Sequence, residues 1–210
     1  MADIEKGIND IIKQIKEAPL NKEEAKIQFV KVTKDLELKH TFDFDTAWEV
    51  AEEIKKRKQF REAITVLEDK ITKTEGGLVG EKLNKANPVK HSFADGCYIR
   101  EIFNPAGMLI VTKIHKKKHP FFLMQGDMSI ITETGVERIQ APHQGITVPG
   151  TKRVIYAHTD CVFVTVHATK HTDIKKIEKE VIAEDFSDPK VALQDVELLK
   201  NIKLIKNNKL

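Results

Sequence analysis

The sequence predicts an α+β protein in which an antiparallel β-sandwich or barrel lies between two helical regions. Apolar residues recur at helical spacing in the first third of the chain, at a period of two after Pro88, and at helical spacing again after Thr172. A chain of 210 residues is long enough for one good core with extensions, or for two small domains. We therefore expect a helical N-terminal region and linker over 1–87, a β-domain over 88–170, and a C-terminal helix and tail over 171–210.

The composition excludes several classes of protein. Hydrophobic residues make up 40% of the chain, and 35 basic residues against 32 acidic ones give a net charge of +3. This balance is not the strong basic excess of an electrostatic nucleic-acid binder. No apolar stretch approaches the length of a membrane span, and the N-terminus has no signal-like apolar segment. The two cysteines, Cys97 and Cys161, cannot form a four-cysteine zinc site. We expect a soluble, cytoplasmic product with reduced thiols.

The helical elements of the N-terminal region differ in how clearly the sequence predicts them. Residues 3–18 form a short amphipathic pattern that Pro19 ends, and residues 22–38 fit a helix better than a strand. Residues 45–71 predict a long helix with a continuous apolar face. The following segment, 74–88, contains three glycines and a terminal proline, so we interpret it as a linker.

The β-domain is predicted by eight short runs rich in β-branched and aromatic residues. The runs are CYIREIF, MLIVTKIH, FFLMQ, MSIITE, ERIQA, ITV, RVIYAH and CVFVTVH, separated by turn signals such as NPAG, KKKHP and PHQG. Short strands at nearly even spacing are typical of an antiparallel sandwich or barrel. Beyond them, residues 172–186 predict a helix, and residues 191–210 carry an apolar stripe with a lysine-rich end.

The stretch KIHKKKHPFFLMQG, residues 113–126, places two histidines four positions apart. In this β-region the stretch reads as strand, turn and strand, so the spacing does not indicate one face of a helix. If His115 points inward, the alternation of a strand also turns Lys113 inward. His119 begins the matching inward set on the next strand.

The same residues resemble the first motif of the cupin superfamily. With Gly107 and Gly126 as its outer glycines, His115 takes the place of its second histidine. Lys113 stands where the family has the first histidine, and His119 stands where it has glutamate. In the second motif, Pro149 and Gly150 match, and Arg153 replaces the histidine. The resemblance implies a jelly-roll β-barrel whose metal site has kept two of four ligand positions.

A closer resemblance covers residues 88–183 and leaves 1–85 uncovered. The string PVKHSFADGCYIREIFNPAGMLIVTKIHKKKH, followed by APHQGITVPGTKRVIYAHTDCVFVTVHAT, is similar to small cupin-like proteins encoded by tailed bacteriophages. This resemblance implies a phage origin and a role in the virion or in its assembly.

The expected functional residues lie at the barrel mouth. Lys113, Arg153, Arg100 and Tyr98 are candidates for binding a ligand, and the two permanent cations among them at the motif positions favour an anion. His115 and His119 are candidate ligands of a divalent metal ion. Two imidazoles beside cations make a poor catalytic metal site, and a solvated turn with two edge histidines is the simpler interpretation.

The remaining histidines receive a structural interpretation. His91, His143, His167 and His171 read as loop-end or capping residues rather than as ligands.

Three functions remain open from the sequence. The favoured hypothesis is a non-enzymatic phage structural or assembly protein, which associates with itself and with other virion proteins through its helical extensions. It would be found in the virion or the host cytoplasm, without membrane or nucleic-acid partners. The second is a metal-dependent isomerase or dioxygenase that uses His115, His119 and either His158 or water. The third is a module that binds a sugar or another small anion through Lys113 and Arg153.

Overall fold

A computed structural model of the chain describes residues 21–24, 26–27 and 44–192. The helix expected over 3–18, most of the one expected over 22–38, and the end of the chain after 192 lie outside these residues. The chain divides into two compact units, 1–59 with 193–210 and 60–192. The β-domain belongs to the second unit.

The described residues contain three helices of seven residues or more. They are α1 (Phe44–Lys73), α2 (Gly80–Ala86) and α3 (Ile174–Val181). Helix α1 is the long helix that the sequence predicts, whereas α2 lies inside the segment interpreted as a linker. None of the described helices combines the length and the apolar character needed to cross a membrane.

Helix α3 is shorter than the sequence indicates. The side chain of Asp173 caps its start by accepting a hydrogen bond from the backbone N–H of Lys176 at 3.0 Å. Ile177 and Val181 bury the apolar stripe against Tyr98. The helix ends at Val181 because the next residues pair with a neighbouring strand.

The described residues contain eleven strands, ten in the β-domain and one after α3. They are β1 (Val89–Ala94), β2 (Cys97–Asn104), β3 (Leu109–Val111), β4 (Ile114–His115), β5 (His119–Gln125), β6 (Asp127–Thr132), β7 (Gly135–Gln140), β8 (His143–Thr147), β9 (Val154–Ala157), β10 (Cys161–Ala168) and β11 (Ile182–Ala183). All eight predicted runs form strands, and the run over 108–115 is divided into β3 and β4. Strands β1 and β11 are present in the structure but were not among the predicted runs.

The strands form two main antiparallel sheets and one small one. The five-stranded sheet has the order β1-β2-β10-β5-β8, and the four-stranded sheet has the order β3-β9-β6-β7. Strand β4 leaves the second sheet and pairs with β11. An α+β fold with antiparallel sheets is therefore confirmed. The closed barrel is not, because hydrogen bonding between strands does not continue from one sheet to the other.

The core of the domain lies between the two main sheets. Its buried members come from both sheets: Phe121, Leu123, Cys161 and Phe163 from the first, and Met128, Ile130, Ile139, Ile155 and Ala157 from the second. The alternation of inward and outward residues along each strand places these side chains on the two facing surfaces.

The interior changes from apolar to polar along the five-stranded sheet. Inward residues that lie side by side on neighbouring strands form rows across this sheet, which we call ranks. The first rank is Ile102, Phe163 and Leu123, the second is Arg100, Thr165 and Phe121, and the third is Tyr98 and His167 with His119 beside them. One end of the sandwich is therefore an apolar core, and the other collects ionisable side chains.

Candidate functional site

Three histidines from different strands converge at the polar end of the interior. His115 lies in β4, His119 begins β5, and His167 lies near the end of β10. The ring centroids of His119 and His167 are 4.1 Å apart, those of His115 and His119 are 4.5 Å apart, and those of His115 and His167 are 5.9 Å apart. One nitrogen from each ring lies within 4.8 Å of the other two. This spacing allows one ion to contact all three.

Each of the three rings also has a buried nitrogen without a hydrogen-bond partner among the described residues. These atoms are His115 Nδ1, His119 Nε2 and His167 Nδ1. The Nδ1 of His119 lies 3.0 Å from the carbonyl oxygen of Lys117, which can only accept, so Nδ1 carries the proton. In the neutral ring, Nε2 then presents a lone pair. Buried polar atoms are almost always satisfied, so three such atoms in one cluster point to a bound group.

The surroundings favour the neutral form of all three histidines. Burial, reinforced by His119 and Arg153, lowers the pKa of His115 to about 2. Burial and His119 likewise lower the pKa of His167 to about 3, and burial lowers the pKa of His119. At neutral pH the cluster is therefore a set of uncharged imidazoles, which is the form that binds a metal ion.

Arg153 is buried beside the histidines, with 5% of its surface exposed. Its Nη2 donates to the hydroxyl of Thr147 at 2.8 Å, and its guanidinium carbon lies 5.1 Å from the ring centroid of Phe121. No acidic residue pairs with it among the described residues. Burial without a counter-charge lowers its pKa to about 10.

Arg100 and Tyr98 occupy the neighbouring inward positions of β2. Arg100 pairs across the strands with Thr165, whose hydroxyl lies 3.2 Å from Nε2 of His167, and its positive charge lowers the pKa values of His115 and His167. Burial lowers the pKa of Arg100 itself. The hydroxyl of Tyr98 lies 2.6 Å from His91 Nδ1, and its ring stacks on that of His167 with centroids 6.0 Å apart.

The structure brings together five of the six side chains that the sequence assigned to the barrel mouth: Tyr98, Arg100, His115, His119 and Arg153. The sixth, Lys113, is 59% exposed and forms an ion pair of 2.8 Å with Glu178 of α3. It lines a cleft of about 850 Å³ on the outer side of β4 and α3. The strand breaks after Val111, and the parity that would have turned Lys113 inward with His115 is lost.

The structure corrects the interpretation of two histidines. His167, which we took for a loop-end residue, is an inward residue of β10 and the third member of the cluster. The alternation of Cys161, Phe163 and Thr165 before it was the signal that could have identified it. His158, the third ligand of the enzyme hypothesis, is exposed and contacts Ser129 at 2.8 Å instead.

Comparisons with known proteins give similarities of structure over part of the chain. No family model matches the sequence, and no curated protein matches it. A cupin-2 domain containing protein from Shewanella frigidimarina is 11% identical over 38% of this chain and 78% of its own, with a TM-score of 0.33. KdgF from Halomonas sp. is 10% identical over 48% and 96%, and ectoine synthase from P. lautus is 14% identical over 58% and 91%, each with a TM-score of 0.39.

Proposed function

We propose that this protein binds a divalent transition-metal ion through His115, His119 and His167, as the centre of a metal-dependent site for a small molecule. The proposal rests on one cluster: three histidines bring one nitrogen each within 4.8 Å of the other two, and each ring has a buried nitrogen without a hydrogen-bond partner among the described residues. Neutral imidazole is a preferred ligand of zinc, copper, iron and nickel. The donors therefore fit such an ion and not calcium or magnesium, which prefer oxygen ligands.

The number of protein ligands supports a site that also accepts a small molecule. Structural zinc sites are closed by four protein ligands, whereas catalytic sites use three and leave a position open. A metal ion bound in this way supplies Lewis-acid chemistry or an activated water. The three histidines would hold the ion, and Arg100, Arg153 and Tyr98 lie at the same polar end of the interior.

Outer contacts of the histidines support the same proposal. The carbonyl of Lys117 fixes the His119 ring, and the Thr165 hydroxyl lies 3.2 Å from Nε2 of His167. Such contacts orient metal ligands and set which nitrogen faces the ion.

The test is a metal-binding measurement on the full-length protein. Co²⁺ is added to chelator-treated protein, and binding is followed by isothermal titration calorimetry and by the visible absorption of the cobalt site. We expect one ion per chain in the wild type and loss of the site in His167→Ala. The matched control, His158→Ala, removes an exposed histidine and should bind as the wild type does. Absence of binding in the wild type, or equal binding by His167→Ala, would overturn the proposal.

A second proposal keeps the function favoured by the sequence, a non-enzymatic phage structural or assembly protein that forms homo-oligomers. The observation that supports self-association is an apolar outer face on neighbouring strands β5 and β8. There, Met124 is 62% exposed and Ile146 is 55% exposed, with the partly buried Phe122 on the same face. Exposed apolar patches of this kind mark association surfaces.

Light scattering after size exclusion tests the second proposal. We expect a defined oligomer in the wild type and a smaller species in Met124→Glu, whereas Val136→Glu, at a position of β7 in the other main sheet that is 72% exposed, should leave the mass unchanged. A wild type that stays monomeric at all concentrations would contradict it.

A further inference from the structure

The polar end of the interior holds more positive charge than its described surroundings balance. Neither Arg100 nor Arg153 forms an ion pair with any described residue. Glu178 is close enough to Arg100 to oppose the lowering of its pKa, but its carboxylate is bound to Lys113 at the surface. A metal ion on the histidines would add two more positive charges. Buried positive charges without a nearby negative charge cost free energy. We therefore expect an anion to bind at this site.

The two arginines come from the two main sheets. Arg100 projects from β2 of the five-stranded sheet, and Arg153 immediately precedes β9 of the four-stranded sheet. The backbone N–H of Arg153 donates to the hydroxyl of Thr112 at 2.9 Å, which fixes the start of its side chain. Phe121 and Thr147 then hold the guanidinium plane. Only one of its N–H groups is used by Thr147, so several donors remain for a ligand.

Within the proposed metal function, on which this inference rests, we infer that the ligand is a small carboxylate held between Arg100 and Arg153 beside the three histidines. A carboxylate is planar and matches the paired donors of a guanidinium. A phosphate brings three strong acceptor oxygens and up to two negative charges, and it needs more donors. The hydroxyl of Tyr98 is already engaged by His91, so the two arginines are the main donors facing the site.

The neutral histidines do not supply the missing anion contacts. His119 carries its proton on Nδ1, where the Lys117 carbonyl accepts it, so Nε2 offers a lone pair to the interior. Metal and anion therefore occupy different parts of one site. Each should strengthen the binding of the other because a divalent cation attracts a carboxylate, and by the same factor because coupling between two ligands is reciprocal.

Acetate is the probe that tests this inference. It is titrated into wild-type protein with and without Co²⁺, with calorimetry and the cobalt absorption as readouts, in parallel with uncharged acetamide and with inorganic phosphate. We expect saturable binding of acetate, tighter in the presence of Co²⁺, and none of acetamide. Loss of one arginine should weaken acetate binding about tenfold or more.

Three variants make the result specific. Arg153→Gln and Arg100→Gln should each weaken acetate binding while the cobalt site still forms, and either one suffices if the other does not fold. Arg138→Gln, which removes an exposed arginine paired with Asp127, should bind acetate as the wild type does.

The outcomes separate the inference from the proposed function. If cobalt binds and acetate changes neither the heat nor the cobalt absorption, the carboxylate inference alone is overturned. The same holds if phosphate binds and acetate does not, or if acetamide binds as strongly as acetate. Absence of cobalt binding overturns the metal function, and the metal-free titration then decides whether the arginine pair still binds a carboxylate.

Discussion

Gly145 shows how one side chain controls the shape of the site. A Cβ atom at this position of β8 would lie 2.5 Å from Cζ of Phe121 and 2.6 Å from its Cε1. Phe121 in turn lies beneath the guanidinium of Arg153. The absence of a side chain at 145 therefore lets an aromatic ring occupy the space that supports the buried cation.

We predict that Gly145→Ala destabilises the protein by about 1–3 kcal/mol, because the added methyl group forces the Phe121 ring out of its place. Displacement of the ring should also weaken acetate binding through Arg153. Urea unfolding and the acetate titration check the two effects. Gln144→Ala, at the neighbouring exposed position of the same strand, is the control and should change neither. An unchanged midpoint in Gly145→Ala would contradict the packing described here.

At this scale the sequence identified several of the side chains that the structure brings together, and their role as a site remains a prediction. The spacing of His115 and His119 and the position of Arg153 in the second motif were sufficient to bring these residues into the candidate set. His167 was missed because it has no motif partner and its place depends on the pairing of β10 with β2. Lys113 lies outside the histidine cluster because strand β3 ends before it and the hydroxyl of Thr112 accepts a hydrogen bond from the backbone N–H of Arg153. A local sequence pattern does not reveal this end of the strand.

Single side chains also hold whole elements in place, as the second half of α1 shows. Nε of Arg61 donates to Glu133 at 2.5 Å, and its Nη1 donates to the carbonyl of Val191 at 2.9 Å. Both partners of the ion pair are nearly buried, with 10% and 12% of their side chains exposed. The guanidinium also lies over the Phe186 ring.

We predict that Arg61→Leu lowers the free energy of unfolding by about 3 kcal/mol, since the variant removes an ion pair and a hydrogen bond from nearly buried surroundings. Hydrogen exchange should increase in residues 60–73 and 186–192. Lys73→Met removes an exposed pair with Asp69 in the same helix and should cost less than about 0.5 kcal/mol. Equal losses of unfolding free energy in the two variants would show that burial does not determine how much an ion pair stabilises the protein.

Helix α3 fixes the turn that holds His119. Glu180 accepts hydrogen bonds from Lys117 and from the hydroxyl of Thr169, both at 2.5 Å. These contacts position the Lys117 backbone, whose carbonyl orients the His119 ring. Glu180 is thus a positioning residue for the metal site.

We expect Glu180→Gln to weaken Co²⁺ binding about threefold to tenfold, because an outer contact of a ligand is loosened. The cobalt absorption spectrum should shift as well, which a loss of stability alone would not produce. Glu178→Gln is the control, since its carboxylate pairs with exposed Lys113. A spectrum and an affinity identical to those of the wild type would contradict the positioning role.

Elements were predicted where the local pattern is strong. All eight alternating runs are strands, and the apolar face over 45–71 is helical. Strand β1 lacks a clear alternation, with intermediate exposure only at Val89 and Ser92 and exposed residues elsewhere. Strand β11 has two residues and exists because β4 offers it a partner. Such elements depend on the assembled domain.

The histidine cluster also governs the stability of the whole molecule against acid. The pKa of His115, about 2, and that of His167, about 3, lie below the ordinary value of 6.5, and the pKa of His119 is lowered too. As the pH falls below 6.5, the unfolded chain takes up protons at these positions before the folded chain does. The unfolded state is thereby favoured, and stability decreases with falling pH.

We predict that the metal-free protein loses stability between pH 7 and pH 5, by up to about 1.4 kcal/mol per pH unit for each histidine. Urea unfolding at several pH values across this range measures the change in unfolding free energy per pH unit. The range lies above the pH at which carboxylates contribute most to that change. His167→Gln should reduce the slope, whereas His158→Gln, at an exposed position, should keep it. A stability that is constant or rises on acidification would contradict the neutral cluster.

At the scale of the whole molecule, the class of fold was predictable and its closure was not. Alternation and turn signals indicate antiparallel sheets, but they do not say whether neighbouring sheet edges join. Here β4 pairs with β11 instead of extending β3, and the edge stays open. The predicted domain boundaries near 88 and 170 remain predictions.

The passage from apolar to polar ranks along the five-stranded sheet has a consequence for how this protein can change over evolution. The buried apolar residues lie at one end of the sandwich, around Leu123 and Phe163, and the histidines and arginines of the proposed site lie at the other. Mutations in the histidine and arginine ranks can therefore alter what the molecule recognises while the scaffold survives. One architecture could in this way be inherited intact by descendants with unrelated tasks.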